Sequence, residues 1–268
     1  MRVDGKGLLN RDKAVSFRFD GKSYGGFEGD TLASALLAND VRLVARSFKY
    51  HRPRGVLTAG SEEPNALVTI GSGAGQEPNM RATVQEIFDG LEAHPQNAWP
   101  SLERDVLSIN DRLSPFLSAG FYYKTFMWPK AFWEKLYEPI IRRAAGLGGL
   151  SGAHNPDRYE RAFAFCDVLV IGSGPSGLMA ALTAAEAGAD VILADEDSRM
   201  GGRLNAETHE VDGQAGATWA AATLQKLSEM DNVRLMPRTT VTGAYDQGTY
   251  GELEKVGLKR SAQPRGHR

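Results

Sequence analysis

The sequence has one cysteine, Cys166, in 268 residues. No internal disulfide can form, and no four-cysteine metal or iron–sulfur site can be built from this chain alone. It has no apolar run approaching the roughly 18 residues of a membrane span. Its opening stretch, MRVDGKGLLNRDK, has no signal-peptide apolar core. Neither sign of charge is in excess: 31 Lys and Arg face 33 Asp and Glu, a net charge of −2, so no basic field recommends a nucleic-acid partner. These absences predict a cytoplasmic protein with neither a membrane nor a nucleic acid as partner. His51, His94, His154 and His209 lie far apart without metal-ligand spacing, which argues against a metal site. No Ser-His-Asp or Cys-His arrangement has supporting context, so no catalytic residue is expected.

What is present is the stuff of a soluble globular protein: 42% apolar and 24% charged residues, with length for about two domains. The most informative stretch is DVLVIGSGPSGLMAALTAAEAGADVILADEDSRMGG, residues 167 to 202. Val168 to Ile171 form an apolar run of the kind expected for a strand buried on both faces. Gly172, Gly174 and Gly177 follow at G-x-G-x-x-G spacing, enclosing Pro175 and Ser176. The first glycine permits a tight turn, the second lets backbone approach a pyrophosphate, and the third lets helix pack closely on strand. Leu178 to Ala187 read as a helix with its positive end toward the phosphates, closed by Gly188. Val191 to Ala194 form a second strand. Asp195 stands at its end, 23 residues after Gly172, against the roughly 20 expected for the acid that binds the ribose. A lone glycine motif is weak; strand, glycines, helix, strand and acid in order point to a nucleotide site over a structural turn. Asp195, with Glu196 and Asp197 beside it, disfavours a 2′-phosphate and so favours NAD or FAD over NADP. A strand-end cap is the bland alternative for Asp195. Cys166, just before the first strand, reads as a small buried hydrophobe.

Elsewhere the pattern is coarser. Residues 15 to 27 predict a hairpin, with Val15, Phe17 and Phe19 alternating before Asp20-Gly21. A helix follows, with Asp30 as N-cap and Leu32, Leu36 and Leu37 as its apolar stripe. Residues 66 to 70 predict a strand, and residues 80 to 92 a strand or short helix. This order suggests a small β-grasp domain. Residues 97 to 150 are rich in aromatics, including Trp99, Phe116, Phe121, Tyr122, Tyr123, Phe126, Trp128, Phe132, Trp133 and Tyr137. Packing against another domain is the favoured reading, and contact with a partner subunit the sharper one. The basic cluster Arg46, Lys49, His51, Arg52 and Arg54 is open between a structured loop, a solvated one and a phosphate contact. A helix is expected at about 215–230 and a strand at 239–245. The nucleotide sheet then stops short, and residues 257–268 are basic and apolar-poor, which suggests a truncated chain with an aberrant tail.

Three stretches together resemble the α subunits of heterotetrameric sarcosine oxidases: Ser47 to Val68, His154 to Leu178, and Val191 to Gly202. The likeness runs to about Val256. It implies an α/β architecture in four parts. Residues 1–95 are a β-grasp domain like the 2Fe-2S ferredoxins but without cluster cysteines, since Thr58 to Asn65 contain none. Residues 96–165 are a helical, aromatic-rich connector. Residues 166–256 are an incomplete Rossmann domain of the two-dinucleotide-binding flavoprotein type, as the glycine pair Gly201-Gly202 also suggests, and 257–268 are the tail. The resemblance implies the oxidative demethylation of sarcosine to glycine with O₂, giving peroxide and formaldehyde or methylene-tetrahydrofolate. It implies β, γ and δ subunits as partners, FAD and the substrate site on the β subunit, FMN at a subunit interface, and NAD on this chain. The folate-binding half of the α subunit is absent from this sequence. The cofactor residues carried over are Gly172, Gly174, Pro175, Ser176 and Gly177 for the pyrophosphate, Asp195, Glu196 and Asp197 at the ribose, Gly202 and Arg203 near the phosphates, and Val241 at the adenine. Ser176 and Asp197 depart from the commoner Ala and Arg or Gln. The alternatives are an FAD-dependent subunit of the opine or amino-acid dehydrogenase type, and a non-functional fragment.

Overall fold

The computed structural model describes residues 2–3, 7–117, 119–120, 126, 128–146, 148–155 and 159–257. Phe121, Tyr122, Tyr123 and the tail from residue 258 onward lie outside them. The chain forms two compact units, dividing between residues 158 and 159.

The first unit is built on a mixed sheet of order β2-β1-β7-β5-β6. Strands β1 (Asn10–Phe19) and β2 (Lys22–Glu28) form the expected hairpin around Asp20-Gly21. Both turn residues have positive φ, 48° and 78°, as a tight hairpin turn requires. Helix α1 (Leu32–Ala38) follows, then the two-residue strands β3 (Ala45–Arg46) and β4 (Pro53–Arg54), which pair with each other. Strands β5 (Leu67–Ile70), β6 (Glu77–Arg81) and β7 (Leu91–Pro95) complete the sheet. Strand β7 lies parallel to β1 and antiparallel to β5, and so closes the sheet through its centre. Phe17, Phe19, Leu32, Leu36, Val68 and Leu91 meet between sheet and helix as the core.

Two expectations about α1 are corrected. The N-cap is Thr31, whose side chain accepts from Ser34 N. Asp30, one residue earlier, is fully buried, its carboxylate accepting from Arg2, Phe27 N and Ser34 Oγ. Leu32 and Leu36 face the core, but Leu37 is 44% exposed. Position 37 is one residue, about 100°, past position 36, and that rotation carries it off the apolar face.

The loop from Arg46 to Gly55 is fastened by contacts that reach residues 99–111. The Arg46 guanidinium donates to Leu102 O and to His51 O. Arg52 pairs with Asp111 at 2.6 Å and lies over the Tyr50 ring. The His51 ring is buried, with Nδ1 2.6 Å from Asp105 Oδ2. Asp105 also accepts from Trp99 N and Leu107 N, so one carboxylate joins this loop to residues 99–107. Asp105→Ala is expected to destabilise the first unit by about 3 kcal/mol, because it strips a buried imidazole and two amides of their acceptor. Denaturant unfolding followed at the tryptophans measures this.

Beyond Asp105, helix α2 (Glu138–Ala145) follows a single π-turn at Trp133–Tyr137 and ends at Gly146 in the left-handed conformation. Trp99, Phe116, Trp128 and Phe132 are 69, 74, 82 and 47% exposed. Trp133 and Tyr137 are half-buried.

The second unit holds the βαβ sequence: β8 (Val168–Ile171), α3 (Pro175–Glu186) and β9 (Val191–Ala194). The hairpin pair β10 (Glu210–Val211) and β11 (Gln214–Ala215) leads into α4 (Gly216–Ser228). Then come β12 (Val233–Met236), β13 (Thr239–Tyr245) and β14 (Thr249–Glu254). The parallel sheet has the order β12-β9-β8. The side-chain alternation of β9 divides its burial: Val191 and Leu193 pack under α3 and α4, Ile192 and Ala194 on the opposite face near Val241. Strand β9 is wholly buried because β8 and β12 flank it. Strand β8 is not, and Ile171 is 58% exposed. The expectation of burial on both faces fails there because β8 is an edge strand among the described residues. Cys166, expected to be buried, is exposed in the extended segment before β8. Partial desolvation, with Glu252, Asp167 and Asp190 nearby, pushes its thiol up and away from thiolate chemistry.

Candidate nucleotide site

The site forms at the carboxyl ends of β8 and β9, where an open α/β sheet binds its ligands. Gly172 turns the chain at φ +94° while its amide donates to Ala194 O at 2.8 Å. No heavy atom lies within 4 Å of where a Gly174 Cβ would stand, so its backbone is open to a ligand. A Cβ on Gly177 would lie 1.9 Å from Gly172 O, which is the close helix–strand approach the third glycine permits. Pro175 opens α3, and Leu178 N is the first amide in the helix bonded back to Gly174 O. Positions 176 and 177 precede that bond, so their amides are free to meet an anion at the positive end of the helix.

The second glycine pair is part of the same construction. Gly201 N donates to Ser173 Oγ at 2.8 Å. A Cβ on Gly202 would lie 3.0 Å from Gly174 Cα. The segment after β9 therefore packs on the phosphate loop through residues that have no side chain to obstruct it.

Asp195 has a more particular place than its position in the motif suggests. It is 8% exposed. Its Oδ2 accepts from Ser173 N at 2.6 Å and from Ser173 Oγ, and its Oδ1 accepts from Asp197 N at 2.8 Å. The carboxylate thus fastens β9 to the phosphate loop. Glu196 is the exposed acid of the three. Asp197 is half-buried, and burial, together with Asp195 and Glu196, raises its carboxyl to about 6. Ser173, which joins Asp195 to Gly201, was not picked out from the sequence. It is the unspecified second position of the motif, and only its buried contacts reveal it.

A cavity of about 570 Å³ is lined by Ile171 to Pro175, Ala194 to Asp197, Gly202 to Leu204, Glu207 and Thr239 to Val241. It brings together Gly172, Gly174, Pro175, Asp195, Glu196, Asp197, Gly202, Arg203 and Val241. Ser176 and Gly177 stand outside its lining, on the helix behind. Arg203 is held at 2.9 Å by Glu207, one helical turn on, with its side chain 80% exposed. Thr239 and Thr240 are further lining residues that no motif marks. Among the described residues no cluster of His, Cys, Asp or Glu has the makings of a metal site, and no helix is long and apolar enough to cross a membrane.

A raised carboxyl has a definite consequence for stability. Asp197 is neutral in both folded and unfolded chains below about pH 4, the ordinary carboxylate value. Between there and about 6 the unfolded chain ionises first, so stability falls as pH rises through this window and levels off above it. Asp197→Asn is expected to flatten this fall, giving a higher melting temperature than the parent at pH 7.5 and an equal one at pH 4. Scanning calorimetry across that range measures it.

Comparison with known proteins agrees with this division. Residues 12–98 match the 2Fe-2S iron-sulfur cluster binding domain family, and residues 167–264 match the FAD binding domain family. The structure resembles the crystal structure of L-proline dehydrogenase from P. horikoshii, with a TM-score of 0.52 and 22% identity, over 89% of this chain and 36% of that one. That likeness speaks to fold alone. The chain therefore joins a unit like the 2Fe-2S iron-sulfur cluster binding domain to a unit like the FAD binding domain. More particularly, the chain is a homologue of sarcosine oxidase subunit alpha. It is 58% identical over 266 residues to that subunit from Rhizobium meliloti (strain 1021), and 34% identical over 239 residues to that from Corynebacterium sp. (strain U-96). It covers 27% and 20% of those proteins' lengths.

Proposed function

We propose that this chain is the nucleotide-binding part of a sarcosine oxidase α subunit and that its second unit holds NAD by the ADP half. The observation that carries this reading is the cavity at the carboxyl ends of β8 and β9. Its lining joins the open backbone at Gly174 and Pro175, which opens α3, to Asp195, Glu196 and Asp197, and in this reading the first group meets the pyrophosphate and the acids meet the ribose. In this reading Gly172, Gly174, Pro175 and Gly202 line the pyrophosphate position, and Ser176 and Gly177 contribute from the helix end behind it. Glu196 takes the ribose hydroxyls, Asp195 holds the loop that presents the amides, and Asp197 adds charge against a 2′-phosphate. Arg203 stands near the phosphates, and Val241 meets the adenine edge. When bound, such a cofactor supplies two-electron redox chemistry. This chain's own residues bind and orient it.

The reading places catalysis on other parts of a complex with β, γ and δ subunits. The overall reaction is oxidative demethylation of sarcosine with O₂, with FAD and substrate on the β subunit and FMN at a subunit interface. We place the chain in the cytoplasm. The domain division follows the sequence: a cluster-less β-grasp domain over 1–95, a connector over 96–165, and a Rossmann domain from 166 to 256.

A second reading, FAD in the same cavity, is favoured by the match to the FAD binding domain family. NAD and FAD share the ADP half that the cavity is shaped to meet. The visible spectrum of the purified chain, with mass spectrometry of whatever heat releases, separates them. Released NAD without flavin absorbance supports the first reading, released FAD the second. A chain that neither carries nor takes up either nucleotide overturns both.

A further inference from the structure

The first unit matches a domain family described by its iron–sulfur cluster, and its residues do not fit that group. Residues 57–66 contain no cysteine, and the single cysteine of the chain, Cys166, belongs to the second unit. What occupies the turn instead is a side chain of the loop itself. Glu63 is 1% exposed. Its Oε2 accepts from Leu57 N and Thr58 N, both at 2.7 Å, and its Oε1 from Asn65 N at 2.7 Å and Ala66 N at 3.1 Å.

Converging backbone amides of this kind form an anion-binding nest, the device that holds phosphates and iron–sulfur clusters. Here all four donors are engaged by one internal carboxylate. We infer that Glu63 is a built-in replacement for the cluster: its carboxylate is the anion around which residues 57–66 fold, and it leaves the first unit a redox-silent scaffold.

Three further observations agree. Burial pushes the Glu63 carboxyl up, but the four amides outweigh it and hold the group below the ordinary value. The loop is pinned on both sides of Glu63 to the turn that follows β6, by Thr83 Oγ1 donating to Gly60 O and by Ala82 N donating to Ala66 O. The side-chain oxygen left buried without a partner among the described residues, Thr58 Oγ1, is a neutral hydroxyl and not a thiolate. A position four residues before a strand, in a loop rich in Ala, Gly and Ser, gives no hint of this role in the sequence. Glu62 and Glu63 are adjacent there, and only the fold separates the buried acid from its neighbour.

The test uses the whole chain. Nuclear magnetic resonance of the parent is expected to show scalar couplings across hydrogen bonds from the four amide nitrogens to the Glu63 carboxyl carbon. In Glu63→Gln an amide group turns donors toward two of the four N–H groups, and hydrogen exchange at residues 57, 58, 65 and 66 is expected to rise by about tenfold or more. Anaerobic incubation of the parent with ferrous iron and sulfide is expected to leave no acid-labile sulfide on the protein. Missing couplings overturn the inference, and so does unchanged exchange in a folded Glu63→Gln. Stoichiometric iron and sulfide uptake by the parent does the same. The coupling measurement stands even if the variant does not fold, and none of these outcomes depends on which nucleotide the second unit holds.

Discussion

Gly177→Ala is expected to abolish tight nucleotide binding and to lower the stability of the second unit by about 3 kcal/mol or more, the upper range for overpacking. The argument is geometric. An added Cβ would stand 1.9 Å from Gly172 O and 3.0 Å from Gly172 C, and these are backbone atoms that cannot swing aside. Relief requires α3 to move away from β8, or the turn at Gly172 to open. Either change displaces the free amides at the start of α3 from the anion they are aimed at. A misplacement of about an ångström costs on the order of 100-fold where alignment carries the effect. Gly174→Ala makes the informative contrast. Its Cβ meets nothing within 4 Å, so stability is expected to hold while affinity falls, because the methyl group occupies the ligand's own space. Calorimetric unfolding and titration with NAD and FAD distinguish the two variants. Equal stability of Gly177→Ala and the parent would refute the close packing described here.

The second large effect separates two acids that stand side by side. Asp195→Asn is expected to destabilise the second unit by about 2–4 kcal/mol, since an amide cannot accept both Ser173 donors and the Asp197 amide as the buried carboxylate does. Nucleotide affinity should fall with it, because the phosphate loop loses its tether. Glu196→Gln should leave stability within about 0.5 kcal/mol, as expected of an exposed position, yet weaken nucleotide binding by roughly tenfold, the worth of a hydrogen bond to a charged acceptor. Ser173→Ala belongs with Asp195. It removes the hydroxyl that donates to Asp195 and accepts from Gly201, so the two substitutions together should cost less than their sum. Additive costs, or a larger stability loss at Glu196 than at Asp195, would sink the assignment of Asp195 to positioning and Glu196 to contact.

The local elements were legible where a short-range rule governs them. The hairpin about Asp20-Gly21, the glycine turn at Gly172 and the span of β13 all follow from turn chemistry or from periodicity. Burial was less legible. Val168 to Ile171 have the composition of a doubly covered strand, yet Ile171 is exposed, because composition does not record how many neighbours a strand has. Cys166 fails for the same reason. The basic cluster at 46–54 was undecidable because its partners, Leu102, Asp105 and Asp111, lie about fifty residues or more further along the chain.

The sequence by itself determined that a strand, a glycine turn, a helix, a second strand and an acid succeed one another, since each is a matter of neighbouring residues and backbone sterics. It determined as well that a four-cysteine cluster is impossible, since one cysteine cannot supply the ligands. The tertiary structure alone decided which acid does what. Asp195 and Glu196 are adjacent in sequence, as are Glu62 and Glu63, but a strand end or a tight loop turns one carboxylate of each pair inward to buried amides. The other is left to solvent or ligand. Two neighbouring side chains of the same charge differ in role only through what the fold brings against them, and that information lies in no single stretch of the chain.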